Sequence, residues 1–230
     1  MKNVIFKDLG LIAYEDALQQ QEELFNEVIG FKTGKPVPGK SEQHNYLIFC
    51  EHPHVYTLGK SGSEKNLLIN HIQLQAKNAV FFRTNRGGDI TYHGPGQIVG
   101  YPILDLEMFG LGIKAYIHSL EESIILTLSE FGVKGERLDG ATGVWLETGT
   151  PRVRKICAIG VRTSRYVSMH GFALNVNTDL NYFNYINPCG FTDKAVTSLS
   201  KQLKTEVNIE DVKKILKEKI STVFDMKLVD

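Results

Sequence analysis

The chain of 230 residues is 42% hydrophobic and 23% charged, and its 26 basic residues balance 26 acidic ones. A neutral total provides no global attraction to nucleic acid or to a membrane surface, and no apolar run approaches the roughly 20 residues that span a bilayer. Because its first residues also lack the apolar core of a secretory signal, we expect a cytoplasmic globular protein with neither nucleic-acid nor membrane partners.

The first part of the chain alternates short apolar runs with polar loops. Residues 4–7 and 45–51 are predicted strands, and residues 13–28 carry apolar side chains at helical spacing. Glycine and proline mark residues 32–43 as an exposed loop, and residues 71–77 are a candidate short helix. These elements predict one continuous core without a domain boundary.

The segment of residues 86–97 concentrates glycines among polar side chains, between predicted strands at 79–83 and 98–104. Glycine lets backbone approach a bound group closely, so the polar side chains could surround a ligand. A simple turn is the alternative. The candidate binding residues of this segment are Arg86, Gly87, Gly88, Asp89, Ile90, Thr91, Tyr92 and His93.

The second part of the chain predicts a helix from Gly112 to Gly132 and another that starts at Asn208. Residues 142–147 and 152–161 are paired strands around a turn, and residues 166–169 and 171–176 are a further strand pair around His170. One or two helical turns follow at 180–186. Strands and helices mix without regular alternation, which predicts an α+β fold with mixed or antiparallel sheets packed against helices, as a single domain over residues 1–230.

The cysteines, Cys50, Cys157 and Cys189, lack zinc-type spacing, which is typical of free thiols in a reducing compartment. Cys189 lies between Pro188 and Gly190, in a turn where a thiol is accessible. A nearby cation favours the nucleophilic thiolate, and Lys155 is the candidate, although a solvated lysine is the simpler interpretation of that residue.

Four segments together resemble the lipoyl(octanoyl) transferase family. They are residues 86–97, 155–162, 169–176 and 188–190, flanked by 51–59 and 196–199. The resemblance implies a fold similar to the catalytic domain of biotin and lipoate protein ligases. It also implies that Cys189 and Lys155 are catalytic and that further residues line an acyl pocket. These are Ala158, Ile159, Gly160, Gly171, Phe172 and Ala173, together with the segment from Arg86 to His93.

Such enzymes take an octanoyl (or lipoyl) group from acyl carrier protein. They place it on a lysine of apo lipoyl domains in the E2 subunits of 2-oxoacid dehydrogenases, or of the glycine cleavage H protein, in the first step of lipoate biosynthesis. The resemblance implies a thioester intermediate on Cys189 and no cofactor, neither metal nor ATP. His93 and Tyr92 are expected to position groups rather than to act as bases; structural hydrogen bonding within their segment is the alternative.

Three alternatives differ in chemistry. An ATP-dependent lipoate or biotin ligase has a similar fold but needs no cysteine, and a non-catalytic carrier-binding relative would need neither Cys189 nor Lys155. A metal-dependent hydrolase would use the histidines, namely His52, His54, His93 and His170. His52 and His54 could share one face of an extended backbone, but no third ligand lies nearby in the sequence, so we expect no metal.

Two further expectations concern residues 152–165. The family usually has a small residue at the position of Cys157. Alternation along a strand would place Cys157 beside Lys155, which makes it a rival nucleophile, although a cysteine within a strand is more often buried and inert. Arg152, Arg154 and Lys155 form a basic cluster with Arg162 and Arg165. The cluster is either a docking patch for acidic carriers or a solvated hairpin.

Overall fold

The computed structural model describes residues 2–39, 41–187 and 195–229. Its strands, in chain order, are β1 (Lys2–Leu11), β2 (Tyr46–Glu51), β3 (Val55–Leu58), β4 (Val80–Arg83), β5 (Ile90–His93), β6 (Gln97–Ile103), β7 (Glu136–Leu138), β8 (Ala141–Leu146), β9 (Arg154–Ser164), β10 (Val167–Asn175), β11 (Ala195–Val196) and β12 (Met226–Val229). Its helices are α1 (Tyr14–Lys32), α2 (His71–Ala76), α3 (Ile113–Glu130), α4 (Leu199–Leu203) and α5 (Ile209–Phe224).

A large mixed sheet runs in the order β12-β1-β2-β6-β10-β9-β8-β7, with β11 paired to β9. Its β12–β1, β1–β2 and β11–β9 pairs are parallel, and its other pairs are antiparallel. A second sheet has the order β4-β3-β5. The expected α+β class with mixed sheets is therefore confirmed.

Helices cover both faces of the large sheet because each carries an apolar stripe. Tyr116, Leu120 and Ile124 of α3 join Leu216 and Ile220 of α5 in the core on one face. On the other face, α1 packs its buried side chains against β2, β6 and β10. No helix in the described ranges is long and apolar enough to cross a membrane.

The predicted helix ends are confirmed by their capping residues. The side chain of Asn208 accepts a hydrogen bond from the Glu210 backbone N–H at the start of α5. Gly112 is the N-cap of α3, and Gly132 follows its end with φ +71°. That left-handed conformation at the residue after the helix costs glycine little.

Two predictions from the sequence need correction. Residues 86–97 are not one loop, since β5 occupies their middle and pairs antiparallel with β3. The strand pair expected around His170 is instead the single strand β10, which runs straight through that residue. His170 has φ +59°, a left-handed conformation at one residue inside a strand whose pairing with β9 continues unbroken on both sides.

Candidate active site

A cavity of about 390 Å³ lies where β9 and β10 of the large sheet face β5 and the residues that precede it. All but two of the substrate-binding residues expected from the sequence line it, and so does Lys155. The expected residues that line it are Arg86, Gly88, Asp89, Ile90, Thr91, His93, Ala158, Ile159, Gly160, Gly171, Phe172 and Ala173. Segments far apart in the sequence therefore meet around one space.

The two expected residues that do not border this cavity are Gly87 and Tyr92. The hydroxyl of Tyr92 lies 2.7 Å from His54 Nδ1, and its ring stacks on Tyr182 at 4.9 Å. Tyr92 is therefore part of a separate aromatic cluster. The backbone N–H of Gly87 donates to the carbonyl of Val161 at 2.9 Å and so fastens the loop to the edge of β9.

Arg86 is a structural centre of this loop as well as a wall of the cavity. Its guanidinium donates to the Thr57 carbonyl at 2.6 Å, the Asp89 carbonyl at 2.8 Å and the Gly87 carbonyl at 2.9 Å. Gly88 follows with φ +85°, a conformation that glycine adopts without strain. The loop is thus fixed by a buried cation bonded to backbone carbonyls.

The floor of the cavity is made of small residues in register. Ala173 of β10 pairs with Ala158 of β9, and Gly171 pairs with Gly160. A Cβ on Gly171 would lie 2.1 Å from the Gly100 carbonyl oxygen, so only glycine fits there. These positions keep the sheet surface open for a bound group.

Lys155 borders the cavity beside Trp145, its cross-strand partner on β8. The Lys155 Nζ lies 4.4 Å from the centre of the Trp145 ring, which is a cation–π distance. The Trp145 indole N–H donates to the Ala141 carbonyl at 3.0 Å and fixes the ring plane. Sequence reasoning missed Trp145, although a lone tryptophan in a strand opposite the lysine was an available signal.

Cys157 does not lie beside Lys155 on the cavity wall, contrary to the expectation from strand alternation. β9 has one extra residue, Ile156, between the pairs Trp145–Lys155 and Val144–Cys157, which is a β-bulge. Ile156 and Cys157 are consequently both fully buried in the core. Burial raises the pKa of the Cys157 thiol, so it is held as an inert thiol.

Cys189 lies outside the described residues, and the structure describes the chain on both sides of it. Before it, the Asn187 N–H donates to the Asn66 carbonyl at 2.8 Å. After it, Val196 of β11 is in register with Lys155, and the Thr197 N–H donates to the Lys155 carbonyl at 2.9 Å. The side chain of Asn175, another unforeseen cavity residue, donates to the Thr197 carbonyl at 3.0 Å.

The histidines near the cavity are buried and held neutral. Burial lowers the pKa of His52 to about 4 and those of His93 and His170 to about 3, and the Arg86 charge also lowers the last two. His93 Nδ1 lies 2.8 Å from Gln97 Oε1, and His170 Nε2 lies 2.7 Å from Asn85 Oδ1. Within the described residues, His, Cys, Asp and Glu side chains form no group that could hold a metal ion.

The basic cluster expected from the sequence is divided in space. Glu147 forms ion pairs with both Arg152 and Arg154, which offsets part of their charge. The guanidinium of Arg162 lies over the ring of Phe25 at 5.2 Å, on the α1 side of the sheet. Lys155 is in the cavity, so these cations do not form one surface patch.

Comparison with known proteins places these features in context. A family model described as the lipoyl protein ligase A/B catalytic domain matches residues 13–221. The octanoyltransferase of Christiangramia forsetii is 54% identical over 99% of this chain and 98% of its own length. That of Bacteroides thetaiotaomicron is 55% identical over 99% of this chain and 97% of its own.

Among solved structures, a bipartite lipoate protein ligase from Thermoplasma acidophilum, studied with its E2 lipoyl domain, is similar with a TM-score of 0.73. The similarity covers 100% of this chain and 87% of that chain at 14% identity. At this identity it shows the fold alone, and it confirms the expected likeness to the lipoate ligase catalytic domain.

Proposed function

The chain belongs to the family of lipoyl protein ligase A/B catalytic domains, and we propose that it is an octanoyltransferase that works through a thioester on Cys189. The family resemblance inferred from the sequence motifs is thereby confirmed. The enzyme is an acyltransferase of lipoate biosynthesis. Its donor is octanoyl-acyl carrier protein, and its acceptors are lysines of apo lipoyl domains, in E2 subunits and in the glycine cleavage H protein.

One observation supports this proposal above the others. Lys155 lies in the wall of a cavity with a small-residue floor, and the strand that follows Cys189 is hydrogen-bonded to the backbone of that lysine. A thiolate needs a nearby cation, and an acyl chain needs an open apolar surface. This arrangement provides both next to the segment that carries Cys189.

The first half-reaction exchanges one thioester for another. The Cys189 thiolate attacks the carbonyl carbon of the octanoyl thioester, and the carrier sulfur leaves as a thiolate that takes up a proton. The ammonium of Lys155 favours the attacking thiolate. No free acid is activated, so neither ATP nor a metal ion is required.

The second half-reaction forms the amide. The neutral amine of the lipoyl-domain lysine attacks the Cys189 thioester, loses a proton, and releases the Cys189 thiolate. Lys155, whose ammonium proton the departing carrier thiolate has taken up, is neutral at this stage; it accepts the proton of the amine and becomes an ammonium again. The neutral state of His93 and His170 keeps additional charge away from the alkyl chain, which favours an apolar substrate in this cavity.

An ATP-dependent ligase is the nearest alternative, because the similar solved structure is a lipoate protein ligase. Fold alone does not separate the two reactions. The identity of 54% to an octanoyltransferase and the presence of Cys189 between proline and glycine favour transfer.

Intact-protein mass spectrometry after incubation with octanoyl-acyl carrier protein, without ATP, tests the proposal. We expect one octanoyl adduct that hydroxylamine removes, present in the wild type and in Cys157→Ala but absent in Cys189→Ala. An adduct that persists in Cys189→Ala would reject the assigned nucleophile. Transfer from free octanoate only with ATP would reject the transferase reaction itself.

A further inference from the structure

The buried end of the cavity is closed by aromatic side chains. Tyr14, Tyr101 and His93 line this end and are 4%, 4% and 7% exposed. Gly140 and Ala195 also line the cavity but are exposed, and Ala195 precedes Val196, the register partner of Lys155, so the cavity opens near this lysine. An acyl chain whose carbonyl lies at the mouth near Lys155 therefore has its methyl end directed toward the tyrosines.

The register of the sheet supports this direction. An acyl chain that runs along β9 away from Lys155 first crosses Ala158, which pairs with Ala173. It then crosses Gly160, which pairs with Gly171. Each such step of two residues is about 7 Å. On β6, Val99 is in register with Ala173, and Tyr101 follows it by two residues. Tyr101 is therefore level with the Gly160–Gly171 pair, at the end of the small-residue floor that is farther from Lys155.

Tyr14 is held rigidly at this end. It is the first residue of α1, and its ring lies 5.5 Å from His52, 5.4 Å from Phe82 and 6.3 Å from His93, centre to centre. A second aromatic wall stands beside it, since the Tyr101 hydroxyl lies 2.7 Å from His52 Nε2. Packing against these three rings holds the Tyr14 ring in place at this end of the cavity.

We infer that Tyr14 is the end wall that limits the length of the acyl group, with Tyr101 beside it. The inference rests on the proposed function. An open apolar cavity would bind longer acyl chains better, because each buried methylene adds favourable transfer free energy. A fixed ring reverses that trend for chains longer than octanoyl, since their terminal carbons would overlap it.

The test compares acyl-chain preference in wild-type protein, Tyr14→Ala and Tyr14→Leu. Octanoyl-, decanoyl- and dodecanoyl-acyl carrier protein are offered separately, and transfer to an apo lipoyl domain is followed by mass spectrometry. Because Tyr14 is the first residue of its helix, truncation leaves the hydrogen bonds within α1 in place. The ratio of kcat/KM for decanoyl to that for octanoyl should rise on the order of tenfold in Tyr14→Ala, the value of two buried methylenes.

Matched variants separate the wall from general loosening of α1. Leu24→Ala removes a partly buried α1 side chain that packs on the same core without lining the cavity, so the ratio should stay at the wild-type value. Tyr14→Phe keeps the ring and should keep the octanoyl preference. A wild-type ratio in both Tyr14→Ala and Tyr14→Leu would overturn the end wall while the octanoyltransferase stands. Absence of transfer from every carrier in the wild type would overturn the proposed function itself.

Discussion

The mouth of the cavity and its buried end share one floor but differ in the groups that they present. At the mouth, Lys155 is half-buried and bonded to the strand that follows Cys189. At the other end, Tyr14 and His93 are buried and carry no charge. On the proposed function and the inferred end wall, the mouth is the place of the acyl-transfer chemistry and the buried end selects the acyl chain. Substitutions at the mouth should therefore change the rate of transfer but not the acyl-chain preference, and substitutions at the buried end should change the preference.

The largest expected effect is at the mouth. Lys155→Ala should lower kcat/KM for octanoyl transfer by on the order of 10³-fold, because proton transfer by a positioned side chain contributes roughly this much. The decanoyl-to-octanoyl ratio should not change, since the end wall is intact. Steady-state kinetics with octanoyl- and decanoyl-acyl carrier protein measure both quantities.

Lys155→Arg separates charge from proton transfer in the same assay. A guanidinium keeps the positive charge but does not release a proton, so acyl-enzyme formation should survive better than amide formation. Activity of Lys155→Ala within tenfold of the wild type would contradict a catalytic role for this residue.

At the buried end, the expected effect is on stability at acid pH. The pKa of His93 is near 6.5 when the chain is unfolded but about 3 when it is folded, because burial and then the charges of His52, Arg86 and His170 oppose the charged imidazole. Protons therefore favour the unfolded state, and stability falls as the pH drops below about 6.5. By pH 4.5 this one histidine should cost about 3 kcal/mol of unfolding free energy.

Urea unfolding at pH 7 and pH 4.5 measures this loss. His93→Gln should reduce the pH-dependent loss, whereas His71→Gln, at an exposed position on α2, should leave it as in the wild type. An unchanged loss in His93→Gln would mean that this histidine is not held neutral by the fold.

The sequence predicted those parts of the fold that depend on local patterns. Apolar spacing identified α1, α3 and α5, and turn residues identified the pairing of β8 with β9, because these features depend on local periodicity. The candidate binding segments were also found, and they do meet around one cavity. Local patterns and motifs together therefore identified many of the residues that line the cavity, but not the tyrosines at its buried end.

The rest depends on contacts between distant segments. Tyr14 borders the buried end because the start of α1 packs against His93 of β5, and Tyr101 does so because β6 pairs with β10; neither residue belongs to the motifs. The bulge at Ile156 moves Cys157 into the core, and a single inserted residue leaves no trace in the apolar pattern. The separation of Arg162 from Arg152 could not be predicted for the same reason.

A smaller effect concerns short acyl chains, which the end wall does not exclude. Hexanoyl lacks two methylenes of octanoyl, and each is worth about 0.8 kcal/mol when buried, so kcat/KM should fall by about 15-fold. Competition between hexanoyl- and octanoyl-acyl carrier protein in one reaction measures the ratio directly. A ratio near one would mean that the alkyl chain is not buried in the cavity, and the comparison of its two ends would then lose its basis.

The smallest expected effect tests whether the Trp145 ring positions the Lys155 ammonium. Trp145→Leu removes the ring under Lys155 Nζ, and a cation–π contact of about 1 kcal/mol corresponds to roughly a fivefold loss. Trp145→Phe keeps an aromatic face and should retain most of kcat. Both variants lack the indole N–H that bonds Ala141, so their difference isolates the ring face. Equal losses of kcat would assign the effect to lost packing of a side chain only 2% exposed. A loss in Trp145→Leu alone, with KM for the lipoyl domain unchanged, would establish that the ring positions the lysine for proton transfer.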